Sequence, residues 1–151
     1  MRTLRLGGHP LHPALVHFPV VFWTAAPCLD GLQLLGRGPE WWRYAYWGLA
    51  LGTILALPAM VAGFLDLLAL GSEHPAQATA QRHMLLMGSA WSVFAVDLLI
   101  RTQGAPSLGT AWLDLGVSFS GFALLGAGAY AGAQLVYDFG VGGNTRRGPV
   151  P

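Results

Sequence analysis

Apolar residues dominate long stretches of this chain and are separated by short polar segments. No charged side chain occurs between Tyr44 and Leu65 or between Leu115 and Tyr137. A helix rises about 1.5 Å per residue, so each of these runs is long enough to cross a hydrocarbon core of roughly 30 Å. Backbone amides in that core must bond within the protein, and uninterrupted apolar runs of this length are typical of helices. The pattern predicts an integral membrane protein.

Glycine and proline residues divide the apolar sequence into four predicted transmembrane helices, which cover residues 13–35, 44–70, 83–101 and 111–138. Together they form one all-α domain over residues 1–139, a four-helix transmembrane bundle. The tail, residues 140–151, is rich in glycine and proline and is predicted to be disordered. Four crossings place both termini on one side, and the excess of arginine on that side predicts that it is cytoplasmic.

The composition restricts the function to the membrane. The chain has 151 residues, of which 10% are charged, and this leaves no room for a soluble catalytic domain beside the bundle. A net charge of +1 without a long basic run excludes a nucleic-acid interface. Cys28 is the only cysteine, which excludes an intrachain disulfide and an iron–sulfur ligand set. No residues form a hydrolase or phosphate-binding motif, so an enzymatic function has no candidate residues.

A faint internal duplication relates the two halves of the chain. The matching features are His9-Pro10 with His74-Pro75, His17 with His83, and Asp30 with Asp97. A tandem repeat of two-helix units, related by a twofold axis along the membrane normal, would place the first and third helices diagonally. His17 and His83 would then point toward a common centre. Chance similarity is the competing interpretation.

All five histidines fall at the end of the bundle that is predicted to be cytoplasmic: His9, His12, His17, His74 and His83. An imidazole inside the bilayer boundary needs a hydrogen-bond partner, a metal ion or water. Two imidazoles on different helices can be the axial ligands of haem b, so we predict His17 and His83 as ligands, with Arg82 near the propionates. The small residues of the second and fourth helices either clear space for the haem ring or pack the helices closely.

Three other interpretations remain open. In the first, a transition metal ion is bound by some subset of His9, His12, His17, His74, His83 and Asp66, since imidazole suits zinc, copper, nickel and iron. In the second, the protein transports protons or a small solute, and the route uses the carboxylates Asp30, Asp66, Asp97, Asp114 and Asp138. In the third, the protein is a non-catalytic membrane scaffold or subunit whose histidines only hold the bundle together.

The segment from Gly8 to Pro19 reads GHPLHPALVHFP and is followed by Asp30. It resembles the signature of a family of small bacterial membrane proteins, the domain of unknown function DUF2231. The resemblance implies a four-helix, multi-pass protein of the bacterial inner membrane. It also implies a redox setting, because some members are fused to, or encoded beside, Rieske-type iron–sulfur modules.

Within this resemblance, His9, His12, His17 and His83 are motif matches rather than known ligands. We therefore expect a small redox or electron-transfer component of the membrane. Its partners are the lipid bilayer and, as further candidates, a Rieske-type or other redox protein and additional copies of the chain.

Overall fold

The computed structural model describes residues 4–36, 38, 40–104 and 108–142. A short antiparallel hairpin, β1 (Arg5–Leu6) and β2 (His9–Pro10), is followed by helices α1 (Leu11–Leu15), α2 (His17–Leu34), α3 (Glu40–Leu70), α4 (Gln77–Arg101) and α5 (Leu108–Tyr137). Within these described ranges, four segments are long and apolar enough to cross a membrane: Leu11–Leu34, Glu40–Leu70, Gln77–Arg101 and Ala111–Tyr137. The predicted all-α transmembrane bundle is confirmed, and the side of the membrane that the termini face stays a prediction.

The three main differences from the predicted helix boundaries are in the first three spans. The first span is interrupted at Val16, because Pro19 lacks an N–H group and its ring crowds the carbonyl four residues earlier. The second span begins at Glu40, whose negative charge suits the first turn of a helix. The third span begins at Gln77 rather than His83, because the polar stretch before His83 contains alanine, glutamine and arginine, which favour helix.

The spans form two helix pairs. Helix α2 packs chiefly on α3, and α4 chiefly on α5, while the smaller contacts join α2 to α5 and α3 to α4. Helices α2 and α4 are therefore diagonal, and they meet through large side chains at the centre of the bundle. There Trp23 and Phe94 stack with their ring centroids 4.8 Å apart. The predicted diagonal placement of the first and third spans agrees with this arrangement.

The hairpin, the α3–α4 connection and the end of α5 lie together at what we call the terminal end. The hairpin is fixed to α3 by a 2.9 Å hydrogen bond from the Leu4 amide to Asp66 Oδ1. Residues 140–142 continue from α5, and Val141 packs with Leu135 against a small cluster around Leu70. The rest of the tail that was predicted to be disordered, residues 143–151, lies outside the described residues. The opposite end, with the α2–α3 and α4–α5 connections, is the loop end.

The two helix pairs make equivalent contacts, which supports the internal repeat but in a different register from the predicted one. Asp30 and Arg101 are separated by 71 residues, and the same separation joins Trp23 to Phe94 and His12 to His83. Trp23 lies against Gly52 as Phe94 lies against Gly121. The counterpart of His83 is thus His12 rather than His17, and that of Asp30 is Arg101 rather than Asp97.

Candidate functional site

Two histidines from different helix pairs meet at the terminal end of the bundle. His12, in α1, and His83, in α4, have ring centroids 6.2 Å apart and ring planes at 84°. Both side chains are half-buried. Because the two residues are counterparts in the repeat, this histidine pair lies where the two halves of the protein meet.

Each ring of the histidine pair is held through the same nitrogen. His12 Nδ1 lies 2.8 Å from the Ala59 carbonyl oxygen, and His83 Nδ1 lies 2.8 Å from the Gly128 carbonyl oxygen. A carbonyl oxygen only accepts, so both Nδ1 atoms carry the hydrogen of the neutral ring, and both Nε2 atoms present a lone pair. Among the described residues, neither Nε2 atom has a hydrogen-bond partner. This is the tautomer that metal-binding histidines usually adopt.

Glycines one turn further along the helices explain why the rings reach these carbonyls. A Cβ atom on Gly63 would lie 2.9 Å from His12 Cε1, and one on Gly132 would lie 3.0 Å from His83 Cε1. Both distances are too short for ordinary contact, so any larger residue would push the imidazole off the helix surface. The sequence therefore provides a residue without a side chain, Gly63 or Gly132, where each imidazole lies against the neighbouring helix.

The other predicted site residues are not part of this pair. His17 is exposed, and its Nδ1 lies 3.4 Å from the Ala14 carbonyl in its own turn. His9 is exposed in the hairpin, and His74 Nδ1 accepts a hydrogen bond from the Ala76 amide. Arg82 is exposed beside His83.

The metal set suggested by the sequence, His9, His12, His17, His74, His83 and Asp66, is not brought together. In the described part of the chain, no three histidine, cysteine, aspartate or glutamate residues are placed to hold a metal ion. Asp66 instead accepts a hydrogen bond from the Leu4 amide. The predicted haem ligands His17 and His83 are likewise not paired. His12 takes the place expected for His17, since the two histidines are five residues apart on a helical backbone and their side chains point about 140° apart.

A second polar group, at the loop end, is buried around Arg101. Its guanidinium donates two hydrogen bonds to Asp30, of 2.8 and 2.7 Å, and a 2.9 Å bond to Asp97. The Asp114 carboxylate lies 4.0 Å away. The Arg101 side chain has no exposed surface, and those of the three carboxylates are at most 4% exposed. We call these four residues the arginine network.

Two neighbouring side chains complete the arginine network. Ser118 donates a 2.7 Å hydrogen bond to Asp30, and Trp42 donates a 3.2 Å bond to Asp114. The sequence predicted the carboxylates only as a possible transport route. The spacing of Asp97 and Arg101, four residues apart on one helix face, was the signal that could have identified the pair. In the structure, all three carboxylates face a cation.

The small residues of α3 and α5 are covered by side chains from the neighbouring helices. A Cβ on Gly52 would lie 2.8 Å from the Trp23 ring, and one on Gly128 would lie 2.6 Å from Met87 Sδ. Gly48, in contrast, has only the Phe22 carbonyl oxygen nearby, at 3.8 Å. The covered glycines let helices approach closely. This agrees with the interpretation in which the small residues pack the helices, rather than the one in which they clear space for the haem ring.

The four spans, with large apolar side chains exposed on their surfaces and with Asp30, Asp97, Arg101 and Asp114 buried, define a polytopic α-helical membrane protein. The family model for DUF2231, described as predicted membrane proteins, matches residues 8–145. The chain belongs to this family. It matches no curated protein and no solved structure.

Proposed function

We propose that this protein is a small redox component of the membrane that binds haem b through His12 and His83. The observation that supports the proposal is the pair of half-buried imidazoles, 6.2 Å apart, whose Nδ1 atoms are held by carbonyls and whose Nε2 atoms have no partner among the described residues. These two histidines replace the His17 and His83 combination that the sequence suggested.

The number of ligands favours haem over a bare metal ion. Haem b would need only two ligands from the protein. Zinc sites use three or four protein ligands, and the described residues offer no such set. His12 and His83, whose ring centroids are 6.2 Å apart, would hold the haem iron through their Nε2 atoms.

The residues of the site have distinct roles in this proposal. The Nδ1 bonds to Ala59 and Gly128 would orient the rings and fix their tautomers. Arg82, exposed next to His83, would pair with a propionate. When bound, haem b supplies one-electron redox chemistry.

The absorption spectrum of detergent-purified protein, produced with haem supplied to the cells, tests this function. We expect a Soret band that sharpens on reduction and is lost in His12→Ala and His83→Ala. His17→Ala is the matched control, because His17 is an exposed histidine close to the same end. Size-exclusion chromatography checks that each variant remains folded.

A colourless protein, or a Soret band that depends on His17 but not on His12, would refute the haem proposal. Metal analysis of a colourless sample then separates a bound transition metal ion from a purely structural role. The structural role, that of a membrane scaffold, is favoured by the same Nδ1 bonds, since they tie α1 to α3 and α4 to α5.

A further inference from the structure

An apolar groove of about 480 Å³ runs along the outer surface of the bundle between α4 and α5. We call it the α4–α5 groove, and the exposed residues that line it are Ser92, Val96, Trp112, Leu113, Gly116 and Ser120. A Cβ added to Gly116 would meet no described atom within 4 Å. The Ser92 and Ser120 hydroxyls donate to carbonyls of their own helices, so the groove offers them to a neighbour as small residues without a free donor.

The first half of the repeat carries large side chains where the second half has this groove. In the register of the repeat, the matched pairs are Trp47 with Gly116, Leu51 with Ser120, and Val21 with Ser92. We call Val21, Trp47 and Leu51 the α2–α3 ridge. All three are exposed, and Trp47, which replaces a glycine, is 59% exposed. One half of the protein therefore projects where the other half recedes.

The ridge and the groove lie at the same depth in the membrane and face opposite directions. Helices α2 and α4 both run from the terminal end to the loop end, and α3 and α5 both run back, so matched residues of the two halves have the same depth. Because α2 and α4 are diagonal, the outer surfaces of the two halves lie on opposite sides of the bundle. A second copy in the same orientation, displaced sideways, brings its ridge to this groove without any vertical shift.

We propose that the protein associates with further copies of itself, the α2–α3 ridge of one copy being seated in the α4–α5 groove of the next, with Trp47 over Gly116. Apolar side chains gain little in lipid by meeting each other rather than acyl chains, so helix association depends on close packing at small residues. The groove supplies the small residues and the ridge supplies the side chain that fills it. The contact does not depend on haem binding.

The proposed contact is heterologous, because each copy uses one surface to hold its neighbour and the other to be held. Such contacts build rings when the rotation between copies closes and open rows when it does not. Each surface can therefore be disabled separately, which a self-complementary interface would not allow.

Energy transfer between copies labelled at the C-terminus with donor or acceptor dyes, in liposomes of increasing lipid content, tests this association. We expect transfer in the wild-type protein to persist on dilution with lipid. Trp47→Ala should weaken the apparent association by roughly tenfold or more, as truncation of an anchoring tryptophan does. Phe119→Ala is the matched control, because Phe119 is also 59% exposed but does not line the groove, and it should associate as the wild-type protein does.

Gly116→Trp fills the groove as the first half does, and the open space at Gly116 allows the variant to fold, which circular dichroism checks. It should also lose the association. A mixture of Trp47→Ala and Gly116→Trp should regain transfer, since the first variant keeps its groove and the second keeps its ridge.

Three results would each overturn the proposal. Wild-type transfer that falls to the level of random proximity on dilution means that lipid fills the groove. A folded Trp47→Ala protein that associates like the wild-type protein shows that the contact lies elsewhere. A mixture that associates no better than either variant alone excludes the pairing of ridge with groove.

Discussion

Replacing Arg101 with methionine tests the arginine network most directly. The substitution removes every hydrogen bond that Arg101 donates to Asp30 and Asp97 and leaves three buried carboxylates without a cation. Asp30 keeps only its bond from Ser118, and Asp97 keeps no side-chain partner among the described residues. Removing one partner of a buried ion pair costs about 3–5 kcal/mol, and the three carboxylates place the expected loss at the upper end of that range.

The free energy of unfolding can be measured by titrating SDS into mixed micelles and following helicity by circular dichroism. Arg82→Met is the matched control, since Arg82 is an exposed arginine on the same helix, and its effect should stay within about 0.5 kcal/mol. Arg101→Lys should fall between the two, because an ammonium group cannot form the two parallel bonds that the guanidinium makes to Asp30.

A rescue variant separates loss of charge balance from loss of packing. Asp30→Asn and Asp97→Asn, added to Arg101→Met, remove two of the three uncompensated charges, and apolar or neutral replacement of a whole buried ion group is often tolerated. We expect most of the lost stability to return. The reasoning is refuted if Arg101→Met unfolds within about 1 kcal/mol of the wild-type protein, or if the rescue variant is no more stable than the single variant.

Three further predictions concern other contacts. Gly63→Ala should destabilise the protein by about 1–3 kcal/mol because its Cβ would meet the His12 ring, whereas Gly116→Ala, in open space, should be neutral or stabilising in the same SDS titration. Asp66→Ala should accelerate hydrogen exchange in the hairpin, whose Leu4 amide it anchors, without changing exchange in the spans; unchanged hairpin protection would contradict that role. Trp42→Phe should cost about 1 kcal/mol by removing one bond to the arginine network, and a loss as large as that of Arg101→Met would mean that the tryptophan acts by packing.

The spans could be predicted from the sequence because a helix that crosses the bilayer needs a long run of apolar residues with few charges, and such runs are visible in the sequence itself. The pairing of side chains could not be predicted in the same way. Which histidine faces His83 depends on how the first span is rotated about its axis, because His12 and His17 point about 140° apart on a helical backbone. The role of Arg101 required knowing that the loop ends of α2, α4 and α5 meet, since its partner Asp30 lies 71 residues away in the chain and Asp114 lies on the next helix.

The contacts of the glycines could also be predicted only in part from the sequence. Their spacing indicated close helix approach, but not which side chain covers each one. Gly132 and Gly52 look alike in the sequence, yet one lies under an imidazole and the other under an indole. The neighbouring helix determines which side chain covers each glycine, and therefore which polar group lies there.

The Asp30–Arg101 pair also bears on the ancestry of the two halves. If the chain arose from a homodimer of two-helix subunits, each subunit carried the same residue at this central position. Two copies of the present first half would set two Asp30 carboxylates against each other there. The present first half therefore depends on Arg101 of the second half for the cation at this position.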